Sequence, residues 1–140
     1  MSAAKQAFGA LGERVAERWL RRQGWRILDR RFRSGHRDLD LVAERDGVVA
    51  FVEVKARRGL GGGDPVEAVG WRKQRELVRS AQVWISRRGR PSYAYRFDVV
   101  GVLWAGSDTR PGSRSAPGLG SGGSVRVRHV ENAFFSRRLP

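Results

Sequence analysis

The chain has 140 residues, of which 40% are hydrophobic, enough for one domain with a modest buried core. It has no cysteine, which excludes a disulfide framework, a thiolate metal site and a cysteine nucleophile, so any metal must be held by oxygen or imidazole. Lys and Arg number 28 against 14 Asp and Glu, a formal charge of +14 that favours a polyanionic partner, nucleic acid before an anionic membrane surface.

The opening segment MSAAKQAFGALGER lacks the continuous apolar core of a signal peptide, and no run approaches the roughly 18 apolar residues of a membrane span. A cytoplasmic location without membrane association is expected. In LGERVAERWLRRQG, Leu11, Val15, Ala16, Trp19 and Leu20 recur at helical spacing and Gly24 follows as a C-cap. Glu13 lies toward one edge of that apolar stripe. WRILDRRFR alternates loosely as a first strand and leads through Ser34-Gly35 into two further strands, LDLVAER and VVAFVEVK. Beyond Lys55 a Gly-rich loop ends in Asp64-Pro65, an N-cap followed by proline at the first helical position, which starts a second helix. From Trp71 to about Arg88 the residues Gln74, Leu77, Val78, Ala81, Trp84 and Ile85 share one face. YAYRFDVVGVLW is a largely buried strand, and residues 105–124 form a low-complexity Gly/Ser-rich loop, expected to be a flexible excursion between two strands. VRVRHV follows as an edge strand, and Phe134 and Phe135 near the end can dock on the core. Strands alternating with helices predict one α/β domain, a sandwich with a central mixed sheet flanked by helices.

The hairpin carries charge where a buried strand should carry none. With Asp46-Gly47 as the two central turn residues, Asp40 faces Glu53 and Asp38 faces Lys55, and side-chain alternation puts all four on one patch. Directly opposed Cβ atoms lie about 4.5–5.5 Å apart, so Asp40 and Glu53 repel unless positive charge sits between them. Lys55 offsets part of that repulsion and a divalent cation the rest; two carboxylates, waters and a substrate phosphate make a typical Mg²⁺ shell. Alternation alone would also place a solvated ion-pair cluster outside. Against that bland arrangement, the second strand is apolar on both faces except at Glu53 and Lys55. As chemistry, the group suits a metal-dependent phosphodiesterase, with Asp40 and Glu53 on the cation and Lys55 positioning water or stabilising charge on the phosphate.

An acid, a hairpin and then acid-x-Lys resembles the PD-(D/E)xK nuclease superfamily, whose fold is restriction-endonuclease-like. More closely, GERVAERWL, DLDLV, FVEVKARR, GDPVEAV, WRKQRELVRSAQVWI and RFDVV together resemble the YraN family of small bacterial proteins, related in fold to archaeal Holliday-junction resolvases. The resemblance runs from about Gly9 to Val100. It implies that Asp40 and Glu53 are metal ligands for Mg²⁺ or Mn²⁺, that Lys55 is the catalytic lysine, and that Glu13 completes the catalytic set. Arg57 and Lys73 match positions suited to nucleic-acid contact. Arg37-Asp38 stands where the family usually has Gly-Glu, and the insertion after Trp104 departs from the compact core. By analogy with the resolvases, homodimerisation is expected.

The function expected is a metal-dependent endonuclease or resolvase acting on DNA, branched or damaged, with DNA preferred over RNA. The alternative is a nucleic-acid-binding protein that keeps the nuclease fold without cutting; a third is an assembly protein whose charges serve a protein partner. Of the five tryptophans, Trp19 and Trp84 lie on apolar helix faces and belong to the core rather than to base stacking. His36 and His129 are isolated along the chain.

Overall fold

In the computed structural model, which describes residues 3–35, 37–58, 65–105 and 124–140, the first helix α1 (Ala3–Arg22) stops where glycine permits it. Gly24 has φ +92. The N–H of Gly24 donates to the Arg21 carbonyl and that of Trp25 to the Leu20 carbonyl, both at 3.0 Å, the bond pair of a Schellman ending. At its other end α1 starts upstream of the Leu11 stripe.

Three antiparallel strands follow: β1 (Arg26–Ser34), β2 (Arg37–Arg45) and β3 (Val48–Arg58). Asp46 and Gly47 have φ +52 and +80, the two positive values that a type I′ hairpin needs. The β2–β3 ladder runs from Arg45↔Val48 to Leu41↔Val52, the register expected from that turn. A crossover through α2 (Trp71–Arg88) returns the chain to β4 (Ala94–Ala105), parallel to β3, and β5 (Ser124–Phe134) closes the edge antiparallel to β4. The five-stranded sheet has the order β1-β2-β3-β4-β5.

The two helices cover opposite faces of the sheet. Val15, Ala16 and Leu20 of α1 pack with Leu41, Ala43, Ala50, Val52, Val100 and Val102. Leu77, Val78, Ala81 and Trp84 of α2 pack with Val42, Val49, Phe51, Phe97 and Val99. Because β3 is central and joined to β4 by a crossover, it is covered on both faces and reads as a continuous apolar run. This is an α/β sandwich with a mixed sheet, consistent with the restriction-endonuclease-like fold.

Two local expectations are corrected. The second helix does not begin at Pro65: Pro65–Ala68 form a 3-10 turn, and α2 starts at Trp71 behind Gly70, which gives no side-chain cap. Between them Val69 is buried in the α2-side core, and the Gln74 side chain donates to its carbonyl at 2.9 Å. Burying Val69 outweighs continuing the helix. Asp64 and nearly all of the 105–124 segment lie outside the described residues. Phe134 stacks on Phe97 at 4.6 Å between ring centroids, whereas Phe135, one residue further, is 78% exposed. Among the described residues, no helix is long and apolar enough to cross a membrane.

Candidate active site

The charged patch forms where β2 parts from β3. Past Leu41↔Val52 the ladder ends, and the Asp40 side chain takes over, its Oδ2 accepting the backbone N–H of Val54 at 2.8 Å. Asp40 thereby closes a strand edge whose amide would otherwise stay unsatisfied. Across the sheet, Asp40 faces Arg31, which lies between the pairs Arg30↔Leu41 and Phe32↔Leu39 and has φ +47. A left-handed arginine costs on the order of 1 kcal/mol, and it sits opposite the carboxylate that leaves the ladder.

Three carboxylates line up through this gap. Burial, then the negative charge and hydrogen-bonding contact of Glu53, push the Asp40 carboxyl up to about 7, against the opposing pull of the Val54 N–H and Lys73. Glu13 is raised as well, by burial first and by Asp40, while Arg31 pulls it down. Arg31 Nε donates to Glu13 at 3.0 Å. Glu53 is only 5% exposed. Its Oε1 lies 3.4 Å from Lys55 Nζ and 3.8 Å from Lys73 Nζ, and its Oε2 is buried without a hydrogen-bond partner. An unanswered oxygen on a buried acid, beside a second acid, is a local deficit of positive charge.

Glu13 reaches this row because α1 rides close to β3. A Cβ on Gly12 would stand 2.7 Å from the Ala56 Cβ, so the missing side chain sets the approach. An open groove of about 420 Å³ runs along the α1 side, lined by Glu13, Arg14, Arg30, Arg31 and Asp40 among others. Glu17, at its margin, holds Arg30 and Arg21.

Glu13, Asp40, Glu53 and Lys55 thus stand together, and Lys73 enters from α2 through Glu53. Arg57 is exposed two residues beyond Lys55 on the same strand. Asp38 departs from the expected patch: it is half-exposed and pairs with Arg33 of β1 at 3.4 Å, because β2 no longer follows β3 at that point. His36 lies outside the described residues. Among the described residues, no three acidic or histidine side chains are grouped as a metal cage.

Residues 12–102 match the family model described as Uncharacterised protein family UPF0102. The chain belongs to UPF0102, the YraN family. A UPF0102 protein of Trichlorobacter lovleyi is 42% identical over 130 residues, covering 92% of this chain and 91% of the relative. One from Nocardia farcinica is 48% identical over 99 residues, 71% of this chain and 78% of the relative. One from Chloroherpeton thalassium is 45% identical over 97 residues, 69% and 75% of the two chains. Glu13, Asp40, Glu53, Lys55, Arg57 and Lys73 all fall inside the UPF0102 match.

So does a second buried acid that the sequence reading passed over. Asp98 on β4 is 1% exposed, on the sheet face that α1 covers. Arg96 donates to it from Nε and from one terminal nitrogen at 3.0 and 3.1 Å, and the Asn132 N–H donates at 3.0 Å. His129 Nε2 stands 2.6 Å from its Oδ2, with the ring edge-on to Trp19 and Trp25. Burial would raise the Asp98 carboxyl, but His129, the Asn132 amide and Arg96 together hold it below the usual carboxylate range. The ionised acid only accepts, so His129 Nε2 is the donor. His129 is therefore not isolated. The signal for Asp98 was of the same kind as that for Glu53, a carboxylate inside an apolar strand, with Arg96 two residues before it.

Proposed function

We propose that this UPF0102 protein is a divalent-cation-dependent nuclease that hydrolyses phosphodiester bonds in DNA. One observation carries the reading: the buried Glu53, whose Oε2 has no hydrogen-bond partner in the structure, stands against Asp40, whose carboxyl is pushed up to about 7. Asp40 and Glu53 would hold Mg²⁺ or Mn²⁺, a hard cation that needs one or two carboxylates and completes its shell with water and phosphate. Such an ion, when bound, lowers the pKa of water and draws charge from the scissile phosphate. Asp40 suits the ligand role because its Oδ2 is tied to Val54, which anchors one oxygen of the carboxylate. Lys55, held 3.4 Å from Glu53, is placed to orient a water or meet the charge developing on phosphate oxygens. Glu13 accepts from Arg31 and contacts Asp40 from the α1 side, where it can hold a proton for the reaction. Lys73 and Arg57 present cations to the phosphate backbone, in keeping with the +14 charge of the chain.

The alternative, a nucleic-acid-binding protein that does not cut, draws on that same charge. Labelled linear, nicked, flapped and four-way-junction DNA, incubated with Mg²⁺, Mn²⁺ or EDTA, decides between them. Metal-dependent products that vanish with Asp40→Ala and with Lys55→Ala are expected. Tight binding without products, indifferent to both substitutions, would overturn the nuclease and leave the binding protein.

A further inference from the structure

Trp71 stands apart from the other four tryptophans, of which Trp19 is partly buried. Trp25, Trp84 and Trp104 are buried, but Trp71 is 62% exposed. It opens α2. Arg72 and Arg75 lie over its ring with their guanidinium carbons 5.7 and 5.5 Å from the centroid. With Arg79 and Glu76 these residues line an open groove of about 350 Å³ on the solvent side of the helix. Three arginines against one glutamate give the groove a net positive charge, and the aromatic ring gives it a flat apolar floor.

A lone exposed aromatic needs no explanation; one with two guanidinium groups within about 6 Å of its ring centroid, on the helix turn that also sends Lys73 to Glu53, does. Lys73 Nζ reaches Glu53 at 3.8 Å from the flank of α2 opposite Trp71. Two residues apart on a helix, the two side chains leave α2 on opposite flanks. We propose that Trp71 is a stacking platform for an unpaired base of the DNA substrate, with Arg72 and Arg75 taking the phosphates on either side of that base. Stacking accepts any base, because every base has a π-face, while a fully paired duplex offers none beside its backbone. Guanidinium groups suit both tasks, lying flat on rings and pairing with phosphates. The platform would confine the enzyme to DNA with single-stranded character, such as gaps, flaps or the open centre of a junction. This inference rests on the nucleic-acid reading given above and deepens it by naming the substrate class.

The test is binding by fluorescence anisotropy in EDTA, where no cleavage interferes. Probes are a labelled single strand, the same length as an abasic sugar-phosphate strand, a gapped duplex and a continuous duplex. Trp71→Ala is expected to weaken binding of the single strand and the gapped duplex by about tenfold, with the continuous duplex and the abasic strand changed less than about twofold. Trp71→Phe should retain most of the affinity. Loss of equal size on all four probes, or no loss on any, would overturn the platform, as would failure to bind DNA at all. With a single-stranded RNA of the same length as a further probe, a larger Trp71 dependence there would overturn the assignment to DNA. Parallel incubation with Mg²⁺ separates the two ideas: selective binding loss without cleavage of any substrate sinks the nuclease and leaves the platform standing, and cleavage with unselective loss does the reverse.

Discussion

Asp40 Oδ2 accepts the Val54 N–H at 2.8 Å, one residue beyond the Glu53 carboxylate whose charge Asp40 must tolerate. The same side chain therefore completes the sheet and supplies charge to the site, and two substitutions separate these roles. Asp40→Asn keeps an oxygen for the Val54 amide and removes the like charge, whereas Asp40→Ala leaves that amide unsatisfied, a loss of about 1–3 kcal/mol. Urea unfolding at neutral pH should rank the asparagine variant above wild type and above the alanine variant. Equal stability of the two variants would show that the Val54 bond contributes nothing.

The pH dependence of stability follows from the same carboxyl. Asp40 titrates at about 7 in the folded chain against an ordinary 3.8, so between those values the folded state binds the additional proton. Stability then falls as pH rises through this window, by on the order of a few kcal/mol, and levels off above it. Glu13, also raised, contributes with the same sign. Asp98 works the other way: its lowered value gives stability present above its ordinary range and lost as pH falls through the folded value. Unfolding free energies of wild type and Asp40→Asn measured from pH 4 to 8 should converge at the acid end and separate toward neutrality. Parallel curves would refute the assignment.

Cation binding offers a test that does not require turnover. In wild type, millimolar Mg²⁺ or Mn²⁺ should raise the thermal unfolding midpoint, because an ion that binds only the folded state stabilises it by mass action, and EDTA should reverse the gain. Asp40→Asn and Glu53→Gln should each abolish the response while remaining folded. An undiminished metal response in both would place the ion elsewhere.

Much of the candidate site's geometry was legible because its determinants are local. Asp46-Gly47 dictates the turn, the turn dictates the register, and the register brings Asp40 toward Glu53. What was not legible depends on how strands end and who their neighbours are. Asp38 was expected opposite Lys55, but β2 leaves β3 after Leu41, since the Asp40 side chain replaces a ladder bond. The positive φ of Arg31 is invisible in a residue type that rarely adopts it. His129 meets Asp98 only because β5 returns beside β4 after a long insertion, and no short-range pattern announces which strand an edge strand will join. Likewise α2 starts at Trp71 and not at Asp64-Pro65, where burial of Val69 overrides a good capping signal.

His129 is expected to matter for stability. Replacing it by alanine removes a donor from a buried carboxylate that keeps Arg96 and the Asn132 amide, so the loss should be about 2 kcal/mol, below that of a fully orphaned buried charge. The Asp98 carboxyl would also rise, moving the acid-unfolding midpoint to higher pH. Far-UV circular dichroism during acid titration reads this directly. An unchanged midpoint would mean that Arg96 and the Asn132 amide satisfy the acid without His129.

Gly12 connects packing to the site. An alanine there gains about 1 kcal/mol of helix propensity, but its Cβ would meet the Ala56 Cβ at 2.7 Å, a contact that neither short side chain can relieve by rotation. Overpacking of this kind costs about 1–3 kcal/mol, so the two effects nearly cancel and Gly12→Ala should change the unfolding free energy by less than about 2 kcal/mol. The relief must come from α1 moving away from β3, and Glu13, the next residue, moves with it, away from Asp40 and Arg31. Cleavage should therefore fall more steeply than stability, since positioning errors near 1 Å cost about a hundredfold in rate. The compensating pair Gly12→Ala with Ala56→Gly restores the space on the other side of the contact and should recover activity. Full activity in the single variant, or none recovered in the pair, would show that the approach of α1 does not set the position of Glu13.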